Sequence, residues 1–233
     1  VNEFENLDGQ GHGVKIEGFS MLPAVFLPAF PWRGGFDYKM WAAKLSQMSG
    51  YFTLTRERDP GRVYPDPVDG RCRIDYRVSD YDRKHILEAL IATAKIAYVS
   101  GAKEFHTSSW EIPPFIRSPN NAPGTSDDDI NNADIQGWIA QVRNCSLDPE
   151  RALFASAHQM GTCRMGRSPR TSVVGPDCQV WGTEGLYVLD ASVFPSASGV
   201  NPMVTNMAIA DWASWNIAKS MARSGEVRVM ARL

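Results

Sequence analysis

At 233 residues the chain has room for one large domain or one and a half small ones, and 43% hydrophobic against 21% charged residues suits a globular core. A formal net charge of −2 speaks against a nucleic-acid partner, which would show a basic surplus or stripe. The four cysteines, Cys72, Cys145, Cys163 and Cys178, form no CxxC pair. Zinc and thioredoxin-type redox chemistry are therefore not indicated, and a reducing compartment is the default.

The sequence opens at Val1 with no secretory n-region and h-region, and without an initiating Met it reads as a piece of something longer. Val14–Phe19 and Tyr51–Arg56 cluster β-formers, and Arg71–Val78 alternates polar and apolar residues as a half-buried antiparallel strand does. Gly61, Pro65, Pro67 and Gly70 punctuate these strands as turns. The longest apolar stretch, Met21 to Trp32, is broken by three prolines and falls short of the ~20 residues of a membrane span. Its aromatic residues from Phe26 to Trp32 would suit a lipid chain, and core packing explains them equally well.

The next predicted element is a helix opening at Ser79 or Asp80. Leu87, Leu90, Ile91, Ala94 and Tyr98 share one of its faces, and Gly101 closes it. Trp110 to Thr125 is rich in Pro, Ser and Asn, which predicts a loop. Ser126 followed by Asp127, Asp128 and Asp129 predicts a helix start, with carboxylates at the positive end of the dipole and the helix running through Trp138 and Val142. The same acidic cluster could serve a metal, and a solvated helix start is the simpler reading. Leu153–Ala157 reads as a short buried run, Leu186–Leu189 as an apolar strand ending at Asp190, and the last helix begins near Pro202.

Three segments in the last third can carry chemistry. His158 stands at the end of the Leu153–Ala157 run, before the turn glycine Gly161. An imidazole there can accept a hydroxyl proton and return it, or be a satisfied core histidine. Asp190 ends an apolar strand, where ligands bind in open α/β sheets; it can accept from a ribityl or ribose hydroxyl, or merely cap its own turn. Asn201-Pro202 is a helix cap with Pro at the first helical position, and that helix end can also face negative charge.

The order and wording of these segments are more specific than any one of them. His-x-x-Gly-Thr-Cys-Arg-Met-Gly from His158, then Gly-Leu-Tyr-Val-x-Asp-Ala-Ser-Val-x-Pro from Gly185, then Ser-Gly-x-Asn-Pro-Met-x-Thr from Ser198, resemble the C-terminal signature of the glucose–methanol–choline oxidoreductase family. Within it, the Asn-Pro-Met and Thr-Cys-Arg-Met wording is most similar to the long-chain fatty alcohol oxidases. The resemblance is firmest from His158 to Ala218.

The resemblance implies an α+β or α/β fold. Residues 1–150 would form mainly the substrate-side antiparallel sheet and helices. Residues 151–225 would form the closing, catalytic segment of an FAD-binding domain, and 226–233 a tail. It implies FAD as cofactor and no metal, with a long-chain primary alcohol and O2 as substrates and an aldehyde and hydrogen peroxide as products. His158 would be the base, with hydride passing to flavin N5, and protonated His158 would offset charge developing on oxygen. Asn201 would position the alcohol oxygen. Asp190 and Ala191 would contact the flavin's ribityl–phosphate region, and Pro202 and Met203 its pyrimidine edge. The family's glycine-rich dinucleotide motif does not occur here, so an N-terminal FAD-binding segment would have to come from elsewhere. Two other readings stay open: a related dehydrogenase passing electrons to a quinone or cytochrome, and a binding fragment without catalysis. Ala231-Arg232-Leu233 resembles the small–basic–Leu peroxisomal address or is a basic tail, and a membrane-associated or cytoplasmic placement with peripheral membrane contact is the alternative.

Overall fold

Two-residue alternation puts Val14 and Ile16 on the buried face of β1 (Gly13–Gly18) while Lys15 and Glu17 point away. In the computed structural model, which describes residues 1–121 and 130–223, β1 pairs antiparallel with β2 (Tyr51–Arg56), from Gly13 opposite Arg56 to Gly18 opposite Tyr51. Between them lie the four-residue α1 (Pro23–Phe26), which continues into a 3₁₀ turn at Leu27–Ala29, and α2 (Gly35–Lys44). Val14 and Ile16 pack on Ala89 of α3 (Asp80–Val99), with Phe4, Ile86 and Ala92 alongside.

The helix predicted from Ser79 is realised at both ends. The Ser79 side chain accepts from the Asp82 amide, with Asp80 and Asp82 in the first turn. At the other end Gly101 takes φ +86°, the Gly101 amide donates to Tyr98 O and the Ala102 amide to Ala97 O, both at 3.0 Å. This is the left-handed glycine closure that a residue with a Cβ resists.

Against α3 lies α4 (Ala133–Arg143), whose Ile135, Trp138, Ile139 and Val142 recur at helical spacing and are all buried. The Asn132 side chain caps α4 by accepting from the Asp134 amide. The expected helix start at Ser126–Asp129 lies outside the described residues. Phe105 and Phe115, paired through β5 (Glu104–Phe105) and β6 (Phe115–Ile116), stack with centroids 4.4 Å apart, and Trp138 meets Phe105 edge-on at 4.9 Å. Buried Arg117 donates to Ala102 O, Asn121 O and Tyr98 O, and its guanidinium lies 3.7 Å from the Tyr98 ring centroid. The aromatic stretch also divides here. Phe26 and Phe30 pack with Phe19 and Trp41, whereas Trp32 is exposed.

These elements make one compact unit, residues 1–61 and 76–155; residues 62–75 and 156–233 group as a second. In the second unit β3 (Arg62–Pro65) and β4 (Cys72–Asp75) form an antiparallel hairpin, Arg62 opposite Asp75 and Pro65 opposite Cys72. Asp66 organises its turn, accepting from the Val68 amide at 2.8 Å and from Arg73 Nε at 2.7 Å. The unit ends in α5 (Met203–Arg223).

Two expected elements do not form. Leu153–Ala157 is neither a strand nor buried, with Leu153 at 39% and Phe154 at 37% exposure. Leu186–Leu189 holds a single bridge, Tyr187 to Gln179, and Leu186 is exposed. An apolar run becomes a strand only where neighbours take its amides and carbonyls along its length, and here one short neighbour does. The fold is α+β, mixing helices with small antiparallel sheets. No helix among the described residues is long and apolar enough to cross a membrane.

Candidate active site

The first two signature segments run side by side. The amides of Gly161, Cys163 and Met165 donate to the carbonyls of Ala191, Ser192 and Val193 at 3.2, 2.9 and 2.8 Å. Gly161 sits at φ +85°, and a Cβ there would lie 3.2 Å from the Phe194 carbonyl oxygen. The glycine is thus required both for the left-handed backbone and for the close approach. Beyond it Arg164 O accepts from the Val173 amide at 3.0 Å, Gly166 donates to Val174 O at 3.0 Å, and Val174 and Val193 are fully buried. Cys178, buried at φ +67°, has its thiol pushed up by burial, which suppresses the reactive thiolate.

Asp190 caps the 3₁₀ turn Ala191–Val193. Its Oδ1 accepts from the Ser192 amide at 2.8 Å and the Ser192 hydroxyl at 2.5 Å. Ser192 thereby holds the Asp190 carboxyl below the usual carboxylate range, so it is an anion and an acceptor at neutral pH. The turn-cap reading of Asp190 is therefore realised. Because both contacts from Ser192 fall on Oδ1, Oδ2 is the oxygen that can face a ligand.

An open cleft of about 360 Å³ lies over this turn. Asp190, Ala191 and Ser192 form one side, Gln159, Met160 and Thr162 another, and Asn206 of α5 completes it. Asn206 was not singled out by sequence reasoning. Its side-chain amide makes no hydrogen bond to a described residue, and its oxygen is sealed from solvent. An unpaired buried acceptor costs about 1–3 kcal/mol. The available signal was an Asn inside a run of helix formers, where its propensity is poor.

The other expected site residues lie outside this lining. His158 is half-buried, and its ring has no hydrogen bond to a described residue; Asn201 is exposed. Pro202 O accepts from the Asn206 amide at 2.8 Å, so α5 begins at Met203 and Pro202 holds the cap position, one residue later than the sequence suggests. Met203 is 69% exposed. Among the described residues no group of three or more His, Cys, Asp or Glu side chains is placed to hold a metal.

The chain matches the GMC oxidoreductase family over residues 46–210 and belongs to that family, as its C-terminal domain. It is 33% identical over 202 residues to the long-chain-alcohol oxidase FAO4A of Arabidopsis thaliana, covering 87% of this chain and 26% of that protein. It is 32% identical over 210 residues to the long-chain-alcohol oxidase FAO3 of the same plant, covering 88% and 26%. Among solved structures it is similar to pyridoxine 4-oxidase from Mesorbium loti, at 23% identity and a TM-score of 0.46, covering 72% of this chain and 29% of that one. The chain spans about a quarter of the length of these long-chain-alcohol oxidases.

GMC oxidoreductases are generally flavoproteins, and the cleft suits the polyol part of a flavin. It offers a carboxylate acceptor at Asp190, hydroxyls at Thr162 and Ser192, and at Asn206 a side-chain amide with no hydrogen bond to a described residue.

Proposed function

We propose that this chain is the catalytic segment of an FAD-dependent oxidase of long-chain primary alcohols, releasing an aldehyde and hydrogen peroxide. The observation that carries the reading is the backbone pairing of the His158 segment with the Asp190–Val193 turn, which brings two signature motifs to one cleft. The likeness to two long-chain-alcohol oxidases supports the substrate class.

When bound, FAD would supply the two-electron acceptor for the alcohol, with O2 as the terminal acceptor. His158 takes the hydroxyl proton on a ring nitrogen, which carries no competing hydrogen bond to a described residue. Protonated, the same ring offsets negative charge developing on oxygen. The Asn201 amide donates to the alcohol oxygen. The amino end of α5, with Pro202 and Met203, would offer its positive dipole end to negative charge on the flavin. Asp190 and Ala191 hold the flavin's side chain. Residues 1–150 act mainly as the substrate side and 151–225 as the flavin side. The remaining FAD contacts come from a dinucleotide-binding segment that this sequence does not contain. The peroxide product suits a peroxisomal address at Ala231-Arg232-Leu233, which lies outside the described residues.

The acceptor is tested by stoichiometry in a flavin-loaded protein carrying this chain. One peroxide per aldehyde in air, with dodecanol as substrate, is the expected result. Aldehyde that forms only when a quinone is added would replace the oxidase with a dehydrogenase.

A further inference from the structure

We propose that Asn206 is a positioning residue for the hydroxylated chain of the flavin, holding one ribityl hydroxyl across the cleft from Asp190. The inference rests on the flavin reading above and deepens it by separating the polyol from the phosphates of the cofactor.

Three observations converge. Asn206 lines the cleft, yet its side-chain amide hydrogen-bonds to no described residue and its side-chain oxygen is sealed from solvent. Its neighbours along α5 are Met203, Val204 and Met207, so a leucine at this position would suit both the helix and its surroundings better than an amide does. No described residue therefore gives this side chain a hydrogen bond that explains an amide there.

The cleft's other polar groups show which ligand chemistry does. Asp190 is an anion, Ser192 and Thr162 bring hydroxyls, and Gln159 brings a second amide. None of the lining residues is basic. A carboxylate with no compensating cation repels a phosphate and accepts from a hydroxyl. The geometry thus favours a neutral, hydroxyl-bearing chain over the pyrophosphate. With its oxygen sealed, the amide meets such a chain through its nitrogen, which donates to a ribityl hydroxyl oxygen.

The test uses the flavin-binding protein that carries this chain, stripped of cofactor and titrated with FAD by fluorescence. Asn206→Leu is expected to weaken FAD binding about tenfold, the scale of one hydrogen bond, while the cofactor-free protein melts at the same temperature or higher. A set of FAD analogues, each lacking one ribityl hydroxyl, then locates the contact. For one analogue, wild type and Asn206→Leu should bind equally, and Asn206→Gln should recover part of the lost affinity for FAD itself. Equal FAD affinity in wild type and Asn206→Leu would overturn the assignment. So would a lower melting temperature of the cofactor-free variant, which would make Asn206 structural. The same holds for a tenfold loss that persists with every analogue. A wild-type protein that binds no FAD would instead remove the flavin reading, and this inference with it.

Discussion

The two units differ in what holds them. In the first, α3 and α4 bury Ile91, Tyr98, Ile135, Trp138 and Val142 with Ile112 and Phe115 in one continuous apolar cluster. In the second, the segment carrying His158 and Asp190 is held by backbone hydrogen bonds, turns and a few buried side chains such as Val174 and Val193. Its long helix α5 buries only Ala213 among the described residues and leaves Met203, Val204, Met207 and Trp212 at least half exposed. Packing and candidate chemistry are therefore separated along this sequence. Substitutions in the core of the first unit should act on stability, and those in the signature segments of the second on the cofactor and its reduction.

The strongest way to break that separation is His158→Ala in a flavin-loaded protein. Reduction of the flavin by alcohol should slow by ~10²–10⁴, the usual worth of a general base, with FAD still bound and the melting temperature unchanged. A large loss of thermal stability would make His158 a structural residue and erase the contrast. Arg117→Met is the counterpart in the first unit. Removing a buried guanidinium that serves three backbone carbonyls should destabilise by about 3 kcal/mol in chemical unfolding, since a bond from a charged donor is worth ~1.5–3 kcal/mol. Flavin spectra of the protein that does fold should be unaltered.

Smaller effects sharpen the comparison. Asn201→Ala should slow flavin reduction by the loss of one hydrogen bond to a charged group, ~1.5–3 kcal/mol; an unchanged rate would remove Asn201 from the mechanism. Gly161→Ala places a Cβ at φ +85° against Phe194 O and should destabilise by ~1–2 kcal/mol. Because the strain falls in the His158–Gly166 segment, FAD affinity should fall more than the melting temperature suggests.

The smallest effect concerns pH in the first unit. Asp8 accepts from the Tyr81 hydroxyl at 2.6 Å, from the Gln10 amide at 2.8 Å and from His12 Nδ1 at 2.7 Å, contacts that together hold its carboxyl far below its ordinary 3.8. A depressed native value stabilises the folded state at pH above 3.8 and loses that contribution as pH falls further. Asp8→Asn should therefore lower stability in the neutral region, flatten the acid limb of the profile, and leave the strongly acidic end nearly unchanged.

Legibility in the sequence followed the same division. α3 was readable because its face, its Ser79 cap and its Gly101 stop are all local signals, and β1 and β2 because β-formers cluster within short spans. The hairpin strand β3 carried no such signal. It is four exposed residues ending in a proline, and its alignment with β4 is set by Asp66 in the turn. Leu186–Leu189 misled for the opposite reason, since its apolar character is real but its pairing depends on what lies beside it. The two segments that line the cleft were legible through their wording, His158 to Gly166 and Gly185 to Pro195. Asn206 was not, because an unpaired amide is defined by its neighbours in space.

The most direct test is anaerobic mixing of dodecanol with a flavin-loaded protein carrying this chain, followed by absorbance. Rapid bleaching of the oxidised-flavin band by dodecanol but not by glucose, abolished by His158→Ala, is the predicted result. A band that stays oxidised with dodecanol, or that bleaches equally in His158→Ala, would contradict the account.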